Sequence, residues 1–370
     1  MRGFRTGCRC NGSGEGVTMN LRETIAAIQP LNVQAAGQAK QRWASIAKPL
    51  NSLGLLESAL VRIAGMTGDA EIRLHKRAVV VMCADNGVVE EGVTQCDSSV
   101  TAVVAENFTK GAASVNHMSA VAGADVIPVD IGIAKKMEMP GLRDCKIAYG
   151  TQNMARGPAM TREQAVCSLE TGIAIAQELC GQGYRLLATG EMGIGNTTTS
   201  SALAAVLLNR PVEVVTGRGA GLSSVGLERK IAAISKAIAV NKPDPSDAVD
   251  SLAKVGGFDI GGMAGVFLGG AAMHVPVLVD GFISAAAALV AARICPQVKD
   301  YLLASHVSKE PAGCLLMEEL GLQPFLTADM CLGEGTGAVA AMPILDMANA
   351  VYQGMGTFQD IAIEAYQPLN

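Results

Sequence analysis

Near the C-terminus, the stretch Asp329-Met330-Cys331-Leu332-Gly333-Glu334-Gly335-Thr336-Gly337-Ala338 sets one carboxylate between glycines. Glycine lets the backbone turn sharply and lets a ligand come close. Beyond it, Val339, Ala340, Ala341, Met342, Ile344, Leu345 and Met347 recur at helical spacing. A glutamate on such a turn can be presented to a substrate; the plainer alternative is a surface turn whose carboxylate favours the positive helix N-terminus.

A second stretch, Gly190-Glu191-Met192-Gly193-Ile194-Gly195-Asn196-Thr197-Thr198-Thr199, has glycines that permit close approach, followed by a Thr/Ser/Ala run that starts a helix. Backbone N–H groups at that start, with the helix dipole, suit an anion such as phosphate. The stretch lacks the lysine of a nucleoside-triphosphate loop, so triphosphate transfer is not indicated. Glu191 would repel phosphate and suits a sugar hydroxyl or a cationic ring better. A further glycine loop, Thr216-Gly217-Arg218-Gly219-Ala220-Gly221, precedes a helix carrying Lys230, which reads as a second charge on the same phosphate or as a solvated helix lysine. Asp85-Asn86-Gly87 with Glu90 and Glu91 fixes no metal-ligand spacing and reads as a ribose or ring contact, or a plain loop. His306 suits structural hydrogen bonding at least as well as catalysis. There is no Gly-x-Ser-x-Gly elbow, which disfavours covalent acyl chemistry. One or two carboxylates beside two anion-cradling loops suit chemistry on a phosphorylated sugar in which a carboxylate removes a proton.

The elements that must position these residues alternate. Ala78–Cys83 is a continuous apolar run of the kind found in buried parallel strands. Asp125–Gly132, Tyr184–Thr189, Val212–Val215, Val275–Val279 and Tyr301–Ala304 read as further strands, each leading into a polar or glycine-bearing segment. Helical patterns lie between them, over Ser98–Met118 and after Pro158, where Thr161 and Gln164 form a capping box. Alternating strands and helices predict an α/β fold with a parallel sheet whose C-terminal strand ends carry the ligand. Residues 20–68 read as two or three helices and 336–366 as another. The domain expectation is therefore a disordered leader over 1–18, a small all-helical domain from both termini (19–70 with 340–370), and a large α/β domain over 71–339.

At 370 residues with 49% hydrophobic and 17% charged residues, the chain can build a substantial core. The 42 glycines and abundant alanine predict tight helix packing. Aromatics at 4%, a net charge of -5 and no Lys/Arg cluster argue against nucleic-acid and anionic-membrane partners. No secretory signal or spanning segment is legible. Ten scattered cysteines without a Cys-x-x-Cys pair, and four histidines far apart, predict free thiols, no zinc site and a cytoplasmic protein.

The motifs also match a family. Cys83–Val88, Val100-Thr101, Asn107-Phe108, Gly190–Thr198, Thr216–Gly219, Gly256–Ile260, Asp280–Phe282, Ser305-His306 and Leu332–Ala338 occur in one order over about residues 20–360. The chain resembles the nicotinate-nucleotide–dimethylbenzimidazole phosphoribosyltransferases of cobalamin assembly. The resemblance implies a Rossmann-like parallel sheet flanked by helices, a small helical domain and a homodimer, with a two-subunit complex as the alternative. It implies transfer of 5-phosphoribose from nicotinate mononucleotide to an aromatic base, with no cofactor and no metal. Glu334 falls on the family's catalytic base and Glu191 on its second carboxylate. Phosphate contacts fall near Gly193 and Lys230, with Gly195, Asn196, Thr197, Gly217 and Gly219 in the two loops. Nicotinate contacts fall near Ser308. Leu332, Asp85, Cys96 and Val104 complete the expected substrate-binding set. A desolvated Glu334 would be the more basic, and its glycine flanks leave room for a flat base. Where the family often has small polar side chains at the base pocket, this chain has Cys96, Val103, Val104 and Ala105. Benzimidazole, purine and phenolic bases therefore all stay open. A reading of a different class is a non-catalytic, nucleotide-binding partner subunit; retention of Glu334, Glu191 and both glycine loops favours the transferase.

Overall fold

The computed structural model describes residues 19–366, so the expected leader over 1–18 lies outside the described residues. Six strands form one sheet: β1 (Arg77–Ala84), β2 (Ala124–Gly132), β3 (Arg143–Asp144), β4 (Leu186–Met192), β5 (Val277–Val279) and β6 (Leu302–Ala304). Every neighbouring pair is parallel, in the order β3-β2-β1-β4-β5-β6. The apolar run of β1 is buried along its whole length, as expected of a central parallel strand covered on both faces. The chain leaves β1 toward one edge and β4 toward the other. Their C-terminal ends therefore flank the crevice where α/β sheets bind ligands.

The covering helices are packed closely. Helix Arg162–Gly181 meets helix Phe258–Ala272 so tightly that a Cβ at Gly172 would strike the Gly262 carbonyl, and one at Gly265 the Leu169 carbonyl. The predicted capping box starts the first of these: Thr161 Oγ1 accepts from Gln164 N–H at 3.2 Å, and Gln164 Oε1 accepts from Thr161 N–H at 3.0 Å.

Several expectations are corrected. Val212–Val215 is a short helix, not a strand. Four residues are too few for periodicity to choose, and Val214 N–H turns back to the Pro211 carbonyl at 3.1 Å. The helix predicted over Ser98–Met118 is two, Ser99–Thr109 and Ser114–Ala122, parted at Gly111 with φ 72°. The two-residue β3 carries no sequence signal. Cys83, Cys96, Cys180, Cys295, Cys314 and Cys331 are free thiols, but Cys167 is disulfide-bonded. Pairing needs proximity in space rather than a sequence spacing.

Helices Leu21–Ala27, Val33–Ser45 and Leu55–Thr67 open the described chain, and Thr336–Gly354 is the last helix. The ends meet. Arg42 donates to the carbonyls of Tyr352 (3.0 Å) and Met355 (2.7 Å), and the Trp43 and Tyr352 rings lie 5.1 Å apart. The apolar core is nevertheless continuous from Trp43 through the sheet to Tyr352. Among the described residues, no helix is long and apolar enough to cross a membrane.

Candidate active site

Glu334 sits in the left-handed region, φ 61°, between Gly333 (φ 88°) and Gly335 (φ 90°). Positive φ is rare for a residue with a side chain and marks a turn imposed by its surroundings. Here the sheet imposes it. A Cβ on Gly190 of β4 would strike the Glu334 carbonyl, and one on Gly335 would lie 2.5 Å from Val79 Cγ2. A Cβ on Gly333 would strike Glu191 Oε1. The glycine flanks thus fit against the strand ends and Glu191, and Gly333 also lines the cavity described below. Gly335 then caps helix Thr336–Gly354.

The Glu334 side chain is half-buried, not fully desolvated as expected. Its Oε2 accepts the Val115 N–H at 3.0 Å, in the first turn of helix Ser114–Ala122. That bond fixes the carboxylate plane and leaves the other oxygen able to take a proton. The break at Gly111 therefore has a use, since it creates the helix start that holds Glu334.

Glu191 lies at the end of β4, buried, with Oε2 accepting from Asn196 Nδ2. Burial pushes its carboxyl up to about 8, and the charges of Asp259, Asp280 and Glu334 add to this while Asn196 opposes it. Asp259, in the first turn of helix Phe258–Ala272, is pushed to about 7 by burial, against hydrogen bonds from Ile260 N–H, Asn196 and Asn86. Asp280, just beyond β5, is also raised by burial, with His306 and the Ala338 N–H (2.9 Å) pulling the other way. Three acids from separate elements thus share one buried region, and Glu191 is largely the neutral acid at neutral pH.

The two glycine loops converge. Gly195 (φ 95°) caps helix Asn196–Leu207, and a Cβ on Gly219 of the second loop would lie 2.8 Å from Thr197 Oγ1 and 3.5 Å from Lys230 Nζ. Lys230 is completely buried; Nζ donates to Thr197 Oγ1 (2.9 Å) and to the Gly217 carbonyl (3.1 Å). Burial lowers its ammonium to about 8, and the charge of Glu310 opposes this.

A cavity of about 280 Å³ opens among these groups. Of the residues expected from sequence, Glu334, Glu191, Gly193, Asn196, Thr197, Gly219, Ser308, Leu332 and Val104 line it. Gly195, Gly217 and Lys230 stand behind that wall. Asp85 is buried below it, its Oδ2 accepting from Ala134 N–H at 2.7 Å, and Cys96 is exposed on a loop; neither is in the lining. From sequence, Asp259 and Asp280 appear only within the family motifs, Glu310 has no role, and His306 is weighed between structural hydrogen bonding and catalysis. Asp280, His306 and Glu310 line the cavity as well. The signal for Asp280 and His306 was their place just beyond β5 and β6, and that for Asp259 its place in the motif Gly256–Ile260; Glu310, which precedes a helix, gave none. Among the described residues, no three His, Cys, Asp or Glu side chains are grouped to hold a metal ion.

This combination, a fixed carboxylate facing an anion cradle at the sheet's switch point, suits transfer of a phosphorylated sugar to a nucleophile that must lose a proton. Comparison with known proteins agrees. A family model described as phosphoribosyltransferase matches residues 28–363. A nicotinate-nucleotide–dimethylbenzimidazole phosphoribosyltransferase from Acetivibrio thermocellus is 49% identical over 348 residues, covering 94% of this chain and 99% of that one. One of the same name from Ruminiclostridium cellulolyticum is 49% identical over 351 residues, covering 95% of this chain and 100% of that one. The crystal structure of CobT from Thermus thermophilus superposes with a TM-score of 0.86 at 40% identity, covering 90% of this chain and 100% of that chain. With family, sequence and fold agreeing over nearly the whole length, the chain belongs to the nicotinate-nucleotide–dimethylbenzimidazole phosphoribosyltransferase family.

Proposed function

We propose that this enzyme moves 5-phosphoribose from nicotinate mononucleotide to 5,6-dimethylbenzimidazole or a related aromatic base, giving α-ribazole 5'-phosphate and nicotinate for cobalamin assembly. The observation that carries this reading is the cavity lined together by Glu334, Glu191 and both glycine loops.

The phosphate lies at the start of helix Asn196–Leu207 beside Thr197, Gly193 and Gly219, with Gly195 and Gly217 shaping the loops and Lys230 supplying charge from behind Thr197. Ser308 contacts the nicotinate. Its pyridinium nitrogen carries positive charge while bonded to C1′, so the bond breaks with the electron pair returning to the ring. The base lies along Val104 and Leu332 and attacks C1′ through its bare ring nitrogen. Attack opposite the departing nicotinate inverts C1′ and converts a β-nucleotide to an α-product. The ring N–H proton then passes to Glu334, held in place by Val115 N–H. Glu191, kept largely neutral by burial, lies at the ribose face as a hydrogen-bonding group whose proton can leave as positive charge builds on the sugar. In this reading Cys96 belongs to the approach to the base pocket, and the buried Asp85 supports the site from below rather than forming its wall.

The same reading holds that the protein works as a cytoplasmic homodimer. It also divides the chain into a helical unit (19–70 with 340–370, of which 367–370 lie outside the described residues) and an α/β domain (71–339), which the contacts of Arg42 and Trp43 with the last helix support. Sedimentation velocity tests the dimer, and hydrogen exchange the division.

The experiment for the activity is a panel of acceptors. Purified protein with nicotinate mononucleotide and dimethylbenzimidazole should release nicotinate and form the α-nucleotide. Purines and phenols in the same assay define the acceptor range. No release with any benzimidazole, purine or phenol would refute the assignment in favour of a non-catalytic partner subunit.

A further inference from the structure

One donor of the phosphate subsite in the reading above is already taken by the protein itself. Gly219 N–H, a donor on the second glycine loop, is taken by Glu310, whose Oε1 accepts from it at 3.0 Å. The other oxygen, Oε2, is buried without a hydrogen-bond partner among the described residues. It lies against Gly217, where a Cβ would collide with it. Lys230 responds to the same carboxylate, and Glu310 lines the cavity with Thr197, Gly219 and Ser308.

A carboxylate and a phosphate monoester ask the same of their surroundings: N–H donors and a nearby ammonium. They cannot share those donors, because two anions in one cradle repel. The carboxylate is the poorer occupant, since one of its oxygens is buried and unmatched. A phosphate brings more charge and three acceptor oxygens.

We propose that Glu310 is a specificity-determining residue whose carboxylate fills the phosphate subsite of the empty enzyme until a phosphate monoester displaces it. The inference rests on the phosphate reading of Thr197, Gly219 and Lys230. A donor without phosphate meets a cradle already filled and neutralised. A phosphorylated donor opens it, and the apparent affinity is reduced by the fraction of molecules in which Glu310 is bound. The Glu310 backbone N–H donates to Ser308 Oγ at 3.4 Å, so this residue also neighbours the nicotinate end of the site.

The test is binding of inorganic phosphate to the purified full chain, followed by isothermal titration calorimetry at fixed ionic strength. Glu310→Gln removes the competing charge and keeps the shape. If Glu310 fills the cradle in about nine molecules of ten, this variant binds phosphate about tenfold more tightly than wild type. Glu310→Asp keeps the charge but withdraws it from Gly219. It should bind more tightly than wild type by a smaller factor, and it serves alone if the glutamine variant does not fold. Lys230→Met and Thr197→Val test the subsite itself and should weaken phosphate binding. If those two weaken it while the Glu310 variants bind no more tightly than wild type, the proposal falls and the subsite stands. If neither Lys230→Met nor Thr197→Val changes phosphate affinity, the subsite reading falls and takes the proposal with it.

Discussion

Replacing Glu191 by glutamine keeps the side chain's shape and removes its titration. In the fold, burial and the charges of Asp259 and Asp280 push this carboxyl from 4.5 to about 8. A displacement of that size couples protonation to folding by about 5 kcal/mol at most. Relaxation of the charged form toward water brings the expected value to about 2–4 kcal/mol. Below the unfolded value of 4.5, both states hold the proton and the full contribution is present. As pH rises, the unfolded chain loses the proton first while the fold retains it, so stability declines until pH passes the folded value of about 8. Asp259, raised to about 7, adds a decline of the same sign to wild type and variant alike. Urea unfolding of both proteins from about pH 5 to about pH 9 reads the difference directly. The two should agree within about 1 kcal/mol at the acid end. At the alkaline end, Glu191→Gln should be the more stable by about 2–4 kcal/mol. Curves that stay parallel over this range would refute the claim that Glu191 is held neutral.

Two further predictions concern positioning. Gly335→Ala puts a side chain at φ 90° with its Cβ 2.5 Å from Val79 Cγ2; strain and overpacking together should cost about 2–5 kcal/mol. Thermal unfolding should show that loss, and nicotinate release should fall further than stability explains, because Glu334 moves with the turn; an unchanged melting temperature would contradict the backbone packing described. Thr161→Ala removes a cap remote from the cavity. It should lower stability by about 1 kcal/mol with turnover unchanged, and a loss of turnover would mean that helix Arg162–Gly181 does more than cover the sheet.

Much of this arrangement is legible before folding, for local reasons. The apolar run of β1, the polar ends of β4, β5 and β6, and the Thr161 capping box each follow from a few adjacent residues. The ligand edge follows because the polar and glycine-bearing loops come after the C-terminal ends of parallel strands; the strand order that puts the switch point between β1 and β4 does not. What was not legible depends on contacts between distant segments. The glycines around Glu334 pointed to a ligand; that they also fit against Gly190, Val79 and Glu191, more than a hundred residues away in sequence, was not legible. Val212–Val215 was too short for its period to choose between strand and helix. Nothing local marks the part played by Asp259 or Glu310, since only the fold brings one close to Glu191 and the other onto Gly219.

The central claim is that Glu334 takes the proton of the incoming base. Glu334→Gln still accepts from Val115 N–H but cannot take a proton. Steady-state release of nicotinate from nicotinate mononucleotide, with dimethylbenzimidazole as acceptor, measures the difference. Turnover should fall by about 10²–10⁴-fold, with KM for the nucleotide nearly unchanged because the phosphate cradle is untouched. Turnover equal to wild type in a folded Glu334→Gln enzyme would contradict the account.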